Sequence, residues 1–234
     1  MSALAATWSK EVKDYFVSPI AYMVIAIFLL ITGWFFFSTF FIQDQASLRS
    51  FFNLLPVTFA FVVPALTMRL FAEEFNVGSY EILITLPLSP VQIILGKFLA
   101  GVAMVGAMLI PTLAYPIFVG MLGDLDPGPV IGGYLGALFL GAAFVAVGLF
   151  TSSLTRSQII AYILGALICF GLTLLNQMLF FVPSAVVDVL QTLAASYHFQ
   201  NIAKGIIDSR DLVYFASVIV LGLYLTTIAI QARE

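Results

Sequence analysis

Charge is what this sequence has least of. Its 234 residues include nine Lys and Arg, twelve Asp and Glu, and a single histidine. Charged residues make up 9% of the chain, against about 25% in ordinary soluble domains. With 62% hydrophobic residues and a mean hydropathy of +1.11, there is too little polar surface to cover a soluble protein of this size. The chain therefore reads as an integral membrane protein. One cysteine, Cys169, excludes an internal disulfide and a thiolate metal cluster. It lies in an apolar run, where buried packing is its expected role. His198 stands without two further ligands nearby, so no metal site is expected there. A net charge of −3 points to no particular partner, and nucleic acid is not expected as one. The strict alternation of a membrane barrel is absent. So are HExxH, GxSxG and a P-loop: Gly96-Lys97 lacks the earlier glycine and the following Ser/Thr. No catalytic residue is assigned, and the chain is not expected to be an enzyme. The apolar runs have almost no ionisable group at their centres, where proton- or sodium-coupled carriers need one.

What the sequence does have is six apolar runs of about the length a spanning helix needs. They cover roughly 20–42, 51–71, 91–122, 130–151, 159–182 and 212–230, giving an all-α polytopic fold with one membrane domain over 1–234. Before the first run, residues 3–17 carry Lys10, Glu11, Lys13 and Asp14, with Leu4, Trp8, Val12, Tyr15 and Phe16 at helical spacing. This predicts an interfacial helix with Trp8 and Tyr15 at headgroup level. Its charges, and the length of the run after it, argue against a cleavable signal. Pro56 and Pro64 predict kinks in the second span; Pro111 and Pro116 predict a tilted or broken third span. Gly133, Ala137 and Gly141, with Gly132 and Gly136 as a second pair, predict close helix packing, either within the chain or at a dimer seam. Residues 184–211 have the apolar spacing of one or two short helices.

One polar stretch interrupts the greasy sequence. Residues 69–97 hold Arg69, Glu73, Glu74, Glu81 and Lys97 between the second and third spans. Over 70–86, Phe71, Phe75, Ile82 and Leu86 fall within roughly 60° of one another on a helix, with Glu74 and Glu81 on a second face. Gly78 is the cheapest place for a bend, and Pro87 and Pro90 end the helix in a turn. Such a helix is expected to lie along the membrane surface, although a plain solvated loop has the same composition. Placing both termini inside puts Lys10, Lys13, Arg69, Lys97, Arg156 and Arg233 on the cytoplasmic side. Arg49, Lys204 and Arg210 are then outside, a bias that favours this orientation.

The stretch PALTMRLFAEEFNVGSYEILITLPLSPVQIILGKFLAG (64–101) resembles the membrane subunit of ABC-2 type exporters. The matching features are Glu73-Glu74, Gly78, Glu81, Leu86-Pro87 and Gly96-Lys97. A second stretch, SYHFQNIAKGIIDSRDLVYF (196–215), is similar to the segment before the last span in the gliding-motility-associated permease branch. The resemblance implies six spans with an N-terminal interfacial helix, a cytoplasmic coupling helix between helices 2 and 3, and short extracytoplasmic helices between helices 5 and 6. It implies a second permease subunit, identical or not, and a separate cytoplasmic ABC ATPase in which ATP and Mg bind. No cofactor is implied for this chain. Glu73, Glu74, Gly78, Glu81 and Pro87 would meet the ATPase. Arg69 and Lys97, with Trp8, would anchor at the membrane interface. His198, Phe199, Gly205 and Asp208 would belong to the extracytoplasmic segment. The implied location is the bacterial cytoplasmic (inner) membrane with both termini cytoplasmic. The branch also implies a separate auxiliary protein outside the membrane. The competing readings are a mechanotransmission subunit acting on such a protein, an ATP-independent channel or carrier, a membrane enzyme, and a membrane anchor.

Overall fold

The computed structural model describes residues 3–43, 47–84, 89–178, 184–206 and 208–233. These residues form helices and connecting turns, with no strand among them. Helix α1 (Ala3–Val17) precedes α2 (Pro19–Gln43), and α3 (Arg49–Thr67) leads into α4 (Arg69–Val77) and α5 (Ser79–Ile84). Then come α6 (Pro90–Thr112), α7 (Ala114–Leu122), α8 (Pro127–Leu154) and α9 (Gln158–Met178). The short helices α10 (Ser184–Leu193) and α11 (Ala195–Ala203) precede α12 (Ser209–Gln231). Among the described residues, six stretches are long and apolar enough to cross a membrane: 19–42, 49–77, 90–122, 127–154, 158–178 and 209–231. Up-and-down order puts α1, α4, α5 and the C-terminus at one end of the bundle, the hinge end. The turn before α8 and helices α10 and α11 lie at the far end.

Local chemistry explains the boundaries. At α6, Ser89 Oγ accepts from Gln92 N while Gln92 Oε1 accepts from Ser89 N, and Pro90 supplies a preset first-turn φ. Asp126 and Asp208 cap α8 and α12 in the same way, accepting from Gly128 N and Arg210 N. The expected break in the third span falls at Leu113, two residues after Pro111. Helix α7 is then held to α2 by Tyr115, whose ring stacks on Phe36 at 5.1 Å and meets Phe37 edge-on at 5.6 Å.

Helix α8 is the centre of the bundle, packed against α12, α3, α11, α9, α6 and α4. Its small residues allow this. A Cβ on Gly133 would strike the Phe52 ring, one on Gly141 would strike Val105, and one on Gly148 would strike Thr67. The first stripe faces α3 and α6, and Gly132 and Gly136 face Ile202 and Phe199 of α11. Both stripes are therefore packed inside the chain and neither is free to form a dimer seam. At Gly132 the obstacle is backbone: a Cβ would run into the Ile202 carbonyl and sit 3.1 Å from Gly205 Cα. Gly132→Val should therefore displace α11 from α8 and cost about 1–3 kcal/mol, read as a lower unfolding temperature in detergent. Cys169 is fully buried and free, as expected from its apolar run.

Candidate functional site

At the hinge end the amphipathic stretch is helical, but it does not begin as a separate helix. Met68 keeps right-handed helical dihedrals and its N–H still donates to Pro64 O, so α4 prolongs α3. The real bend is at Gly78, whose φ of 78° is in the left-handed region that glycine enters without steric cost. There the chain turns from α4 into α5. Across the bend, the rings of Phe71 and Phe75 stack at 5.8 Å, and Tyr80 meets Phe75 edge-on at 4.9 Å. The Arg233 guanidinium lies 4.5 Å from the centre of the Phe75 ring, which brings the C-terminal turn beneath the hinge. Leu86 and Pro87 lie outside the described residues.

The hinge is wired to the spans by two polar devices. Ser152, near the end of α8, accepts hydrogen bonds from Phe71 N and Ala72 N at 3.0 Å and donates to Met68 O at 2.8 Å. One hydroxyl thus fills the hydrogen-bonding gap at the α3–α4 joint. The second device is a buried ion cluster. Lys97 of α6 donates to Glu11 Oε1 of α1 at 2.9 Å and to Glu74 Oε1 of α4 at 2.7 Å. Its ammonium also lies 5.2 Å from the centre of the Phe71 ring. The lysine side chain is 1% exposed, and Glu74 Oε2 is buried with no hydrogen-bond partner among the described residues. Gly96 makes the cluster sterically feasible. A Cβ there would sit 2.7 Å from Thr7 Cγ2, so α1 can approach α6 only over a glycine.

Helix α1 is further fixed by Tyr15, which is buried against α3 and not at headgroup level, because its hydroxyl donates to Leu66 O at 3.0 Å. Burial pushes its phenol above the usual tyrosine range. Arg69 lies over the Tyr15 ring at 4.8 Å and donates to Ser18 Oγ. Beside the cluster, between α1 and α4, opens a cavity of about 450 Å³ whose walls include Asp14, Arg69, Glu73 and Glu74.

These contacts sort the expected site residues. Glu73 and Glu81 are exposed, as is Gly78 between them. Glu74 points instead into the cluster with Lys97, so it faces the protein interior. Lys97 is corrected from a headgroup anchor to a buried ion-pair centre: at the start of a span it could reach the interface, but two carboxylates hold it inward. Arg69 is half-buried against α1, and Trp8 is 41% exposed. Sequence reasoning missed Glu11 and Ser152. Glu11 stood among the interfacial charges of α1. Ser152 lies just past the fourth apolar run, where nothing in the sequence marks it as a backbone cap.

At the far end, His198 is buried between α10 and α12. Its Nδ1 lies 2.6 Å from Asp211 Oδ1, its Nε2 lies 3.2 Å from Thr192 O, and its ring stacks on Tyr214 at 4.2 Å. Phe199 is fully buried against α8. Gly205, with φ 85°, turns the chain out of α11 against Gly128. Asp208 is exposed, and the Arg210 N–H it accepts holds its carboxyl below the usual range. Among the described residues, no group of three or more His, Cys, Asp or Glu converges to hold a metal ion.

Compared with known families, residues 43–230 match the family described as ABC-2 family transporter protein. No curated protein matches the chain.

Proposed function

The chain belongs to the ABC-2 transporter family as a multi-pass membrane permease subunit, and we propose that it exports its cargo under the drive of a separate cytoplasmic ATPase docked on the α4–α5 hinge. One observation carries this reading. The hinge presents Glu73 of α4 and Glu81 of α5 outward, while Ser152, Lys97 and Glu74 tie α4 to α8, α6 and α1. Force applied at Glu73 therefore enters a helix tied to three others, and force applied at Glu81 reaches that helix across the Gly78 bend. ATP and Mg bind in the partner, whose closure pushes the hinge and rocks the spans. A second six-span subunit completes the transport path. The hinge end faces the cytoplasm of a bacterial inner membrane, in keeping with the larger share of Lys and Arg at that end. The motif at 196–215 supports membership of the gliding-motility-associated branch.

The structure dictates how to test the docking site. Reversing Glu74 would break the buried cluster and confuse unfolding with uncoupling. Glu73 and Glu81 are exposed, so E73K/E81K should leave the spans folded. The expected result is co-purification of an ATPase with the wild-type chain, with about tenfold weaker retention for the double variant at unchanged unfolding temperature. An ATPase retained equally by both chains would place the docking surface elsewhere. A wild-type chain that purifies without any ATPase would defeat the permease–ATPase pairing itself.

A further inference from the structure

The far end of the bundle holds a second cavity, of about 900 Å³, within the usual range for small-molecule sites. Four elements form its walls: the first turns of α3 and α8, the end of α9 and the end of α11. Because α3 and α8 both begin there, the cavity lies where a span enters the bilayer, at headgroup depth.

Two cations from distant parts of the chain line it, Arg49 and Lys204, and among the described residues neither has a carboxylate within ion-pair distance. Among the described residues, the one acidic side chain in the wall is Asp126, which already accepts from Gly128 N as the cap of α8. The first turn of α3 also faces the cavity; Ser47 Oγ accepts from Arg49 N there, and the dipole at this helix start favours negative charge. Asn53, Gln177 and Gln200 supply amide donors. Buried Leu48 and Phe52, with Val130, make an apolar floor. The backbone at Lys204 is fixed: Gly205 next to it takes a left-handed φ, and α11 is pressed onto Gly132 too closely for any side chain there.

We propose that this cavity binds the phosphate group of an amphiphile, with Arg49 and Lys204 as the paired cationic contacts. Two cations with one committed carboxylate favour an anion, and the apolar floor beside them suits a molecule with a hydrocarbon part. Basic pockets between spans recognise anionic headgroups in this way. The inference goes beyond the ATPase-driven reading and stands without it.

The test uses the full chain in nanodiscs of phosphatidylcholine, with or without phosphatidylglycerol, followed by native mass spectrometry. The wild-type chain should retain phosphatidylglycerol over phosphatidylcholine, and R49Q/K204Q should retain it about tenfold less. R49K should keep the preference, since charge is conserved, and R156Q at the opposite end should not change it. Inorganic phosphate is titrated in a separate arm. Displacement of the lipid by phosphate alone would identify the phosphate group as the recognised feature. Phosphate binding without lipid preference would make a free anion the ligand of the same site. Equal retention of both lipids with no phosphate binding would overturn the proposal, as would undiminished phosphatidylglycerol retention in R49Q/K204Q with its unfolding temperature unchanged. Should R49Q/K204Q fail to fold, R49Q alone carries the test with the same two outcomes.

Discussion

Replacing Lys97 with methionine should destabilise the protein by about 3–5 kcal/mol, the usual consequence of removing one partner from a buried ion pair. By composition alone the substitution looks harmless, since it removes a charge from an apolar span and nearly conserves volume. The geometry reverses that expectation. Lys97 neutralises two carboxylates at once, Glu11 at 2.9 Å and Glu74 at 2.7 Å. Without it, Glu11 keeps only Lys10 at 3.9 Å, and Glu74 loses its cation while its Oε2 already has no partner among the described residues. The cavity between α1 and α4 borders both acids, but hydrating the buried Glu74 Oε2 would require α1 to shift. The unfolding temperature in detergent should fall by on the order of 10 °C, and protease sensitivity should appear in residues 3–17. Neutralising all three positions, as in E11Q/K97M/E74Q, should restore most of the stability, because a buried ion cluster contributes little net over an uncharged replacement. It should not restore force transmission, since α1 and α4 would no longer share a charged centre. If K97M were as stable as the wild type, the cluster would be a minor surface contact.

That cluster also marks where sequence reading reached its limit. The spans were legible because composition reports depth: a run of about 20 apolar residues between polar turns has little alternative to crossing. The bend at Gly78 was legible because the glycine stands alone between two helical halves. Lys97 was misread for a related reason. A lysine at the start of a span has the right depth for a headgroup anchor, and depth was all that the sequence supplied. Its partners lie 86 and 23 residues away, and no local pattern announces such a pairing. The glycine stripes on α8 showed that helices approach closely there. They could not show that the neighbours would be Phe52, Val105 and Ile202 of the same chain rather than a second copy. Ser152 was invisible for the opposite reason. Serines are common in polar turns, and what distinguishes this one is the α3–α4 joint that folding brings against it.

His198 was read as an isolated histidine, and its burial leads to the second large effect. His198→Leu should cost about 2–3 kcal/mol, less than the loss of Lys97, because one carboxylate rather than two is left behind. Asp211 is 2% exposed, its Oδ1 contacts His198, and its Oδ2 has no partner among the described residues. The residue sits in the first turn of α12, where the helix dipole favours a negative charge and offsets part of the penalty, by roughly 1 kcal/mol. The effect should also be local. His198 joins three segments, contacting Thr192 at the end of α10 and Asp211 on α12 from its own place on α11. Tyr214 reinforces the same seam by stacking on the imidazole and donating to Leu193 O at 2.8 Å. Losing the ring should open α10 and α11 while leaving α8 and the hinge end intact. Hydrogen exchange should therefore accelerate in 184–206 and stay unchanged in 130–154. A double variant, H198L/D211L, should recover much of the protection by removing the stranded carboxylate together with its partner. Uniform acceleration across the spans would mean that the far-end helices unfold only with the whole bundle. Unchanged exchange in 184–206 would mean that Phe199 and Ile202, packed on Gly136, hold α11 without help from the histidine.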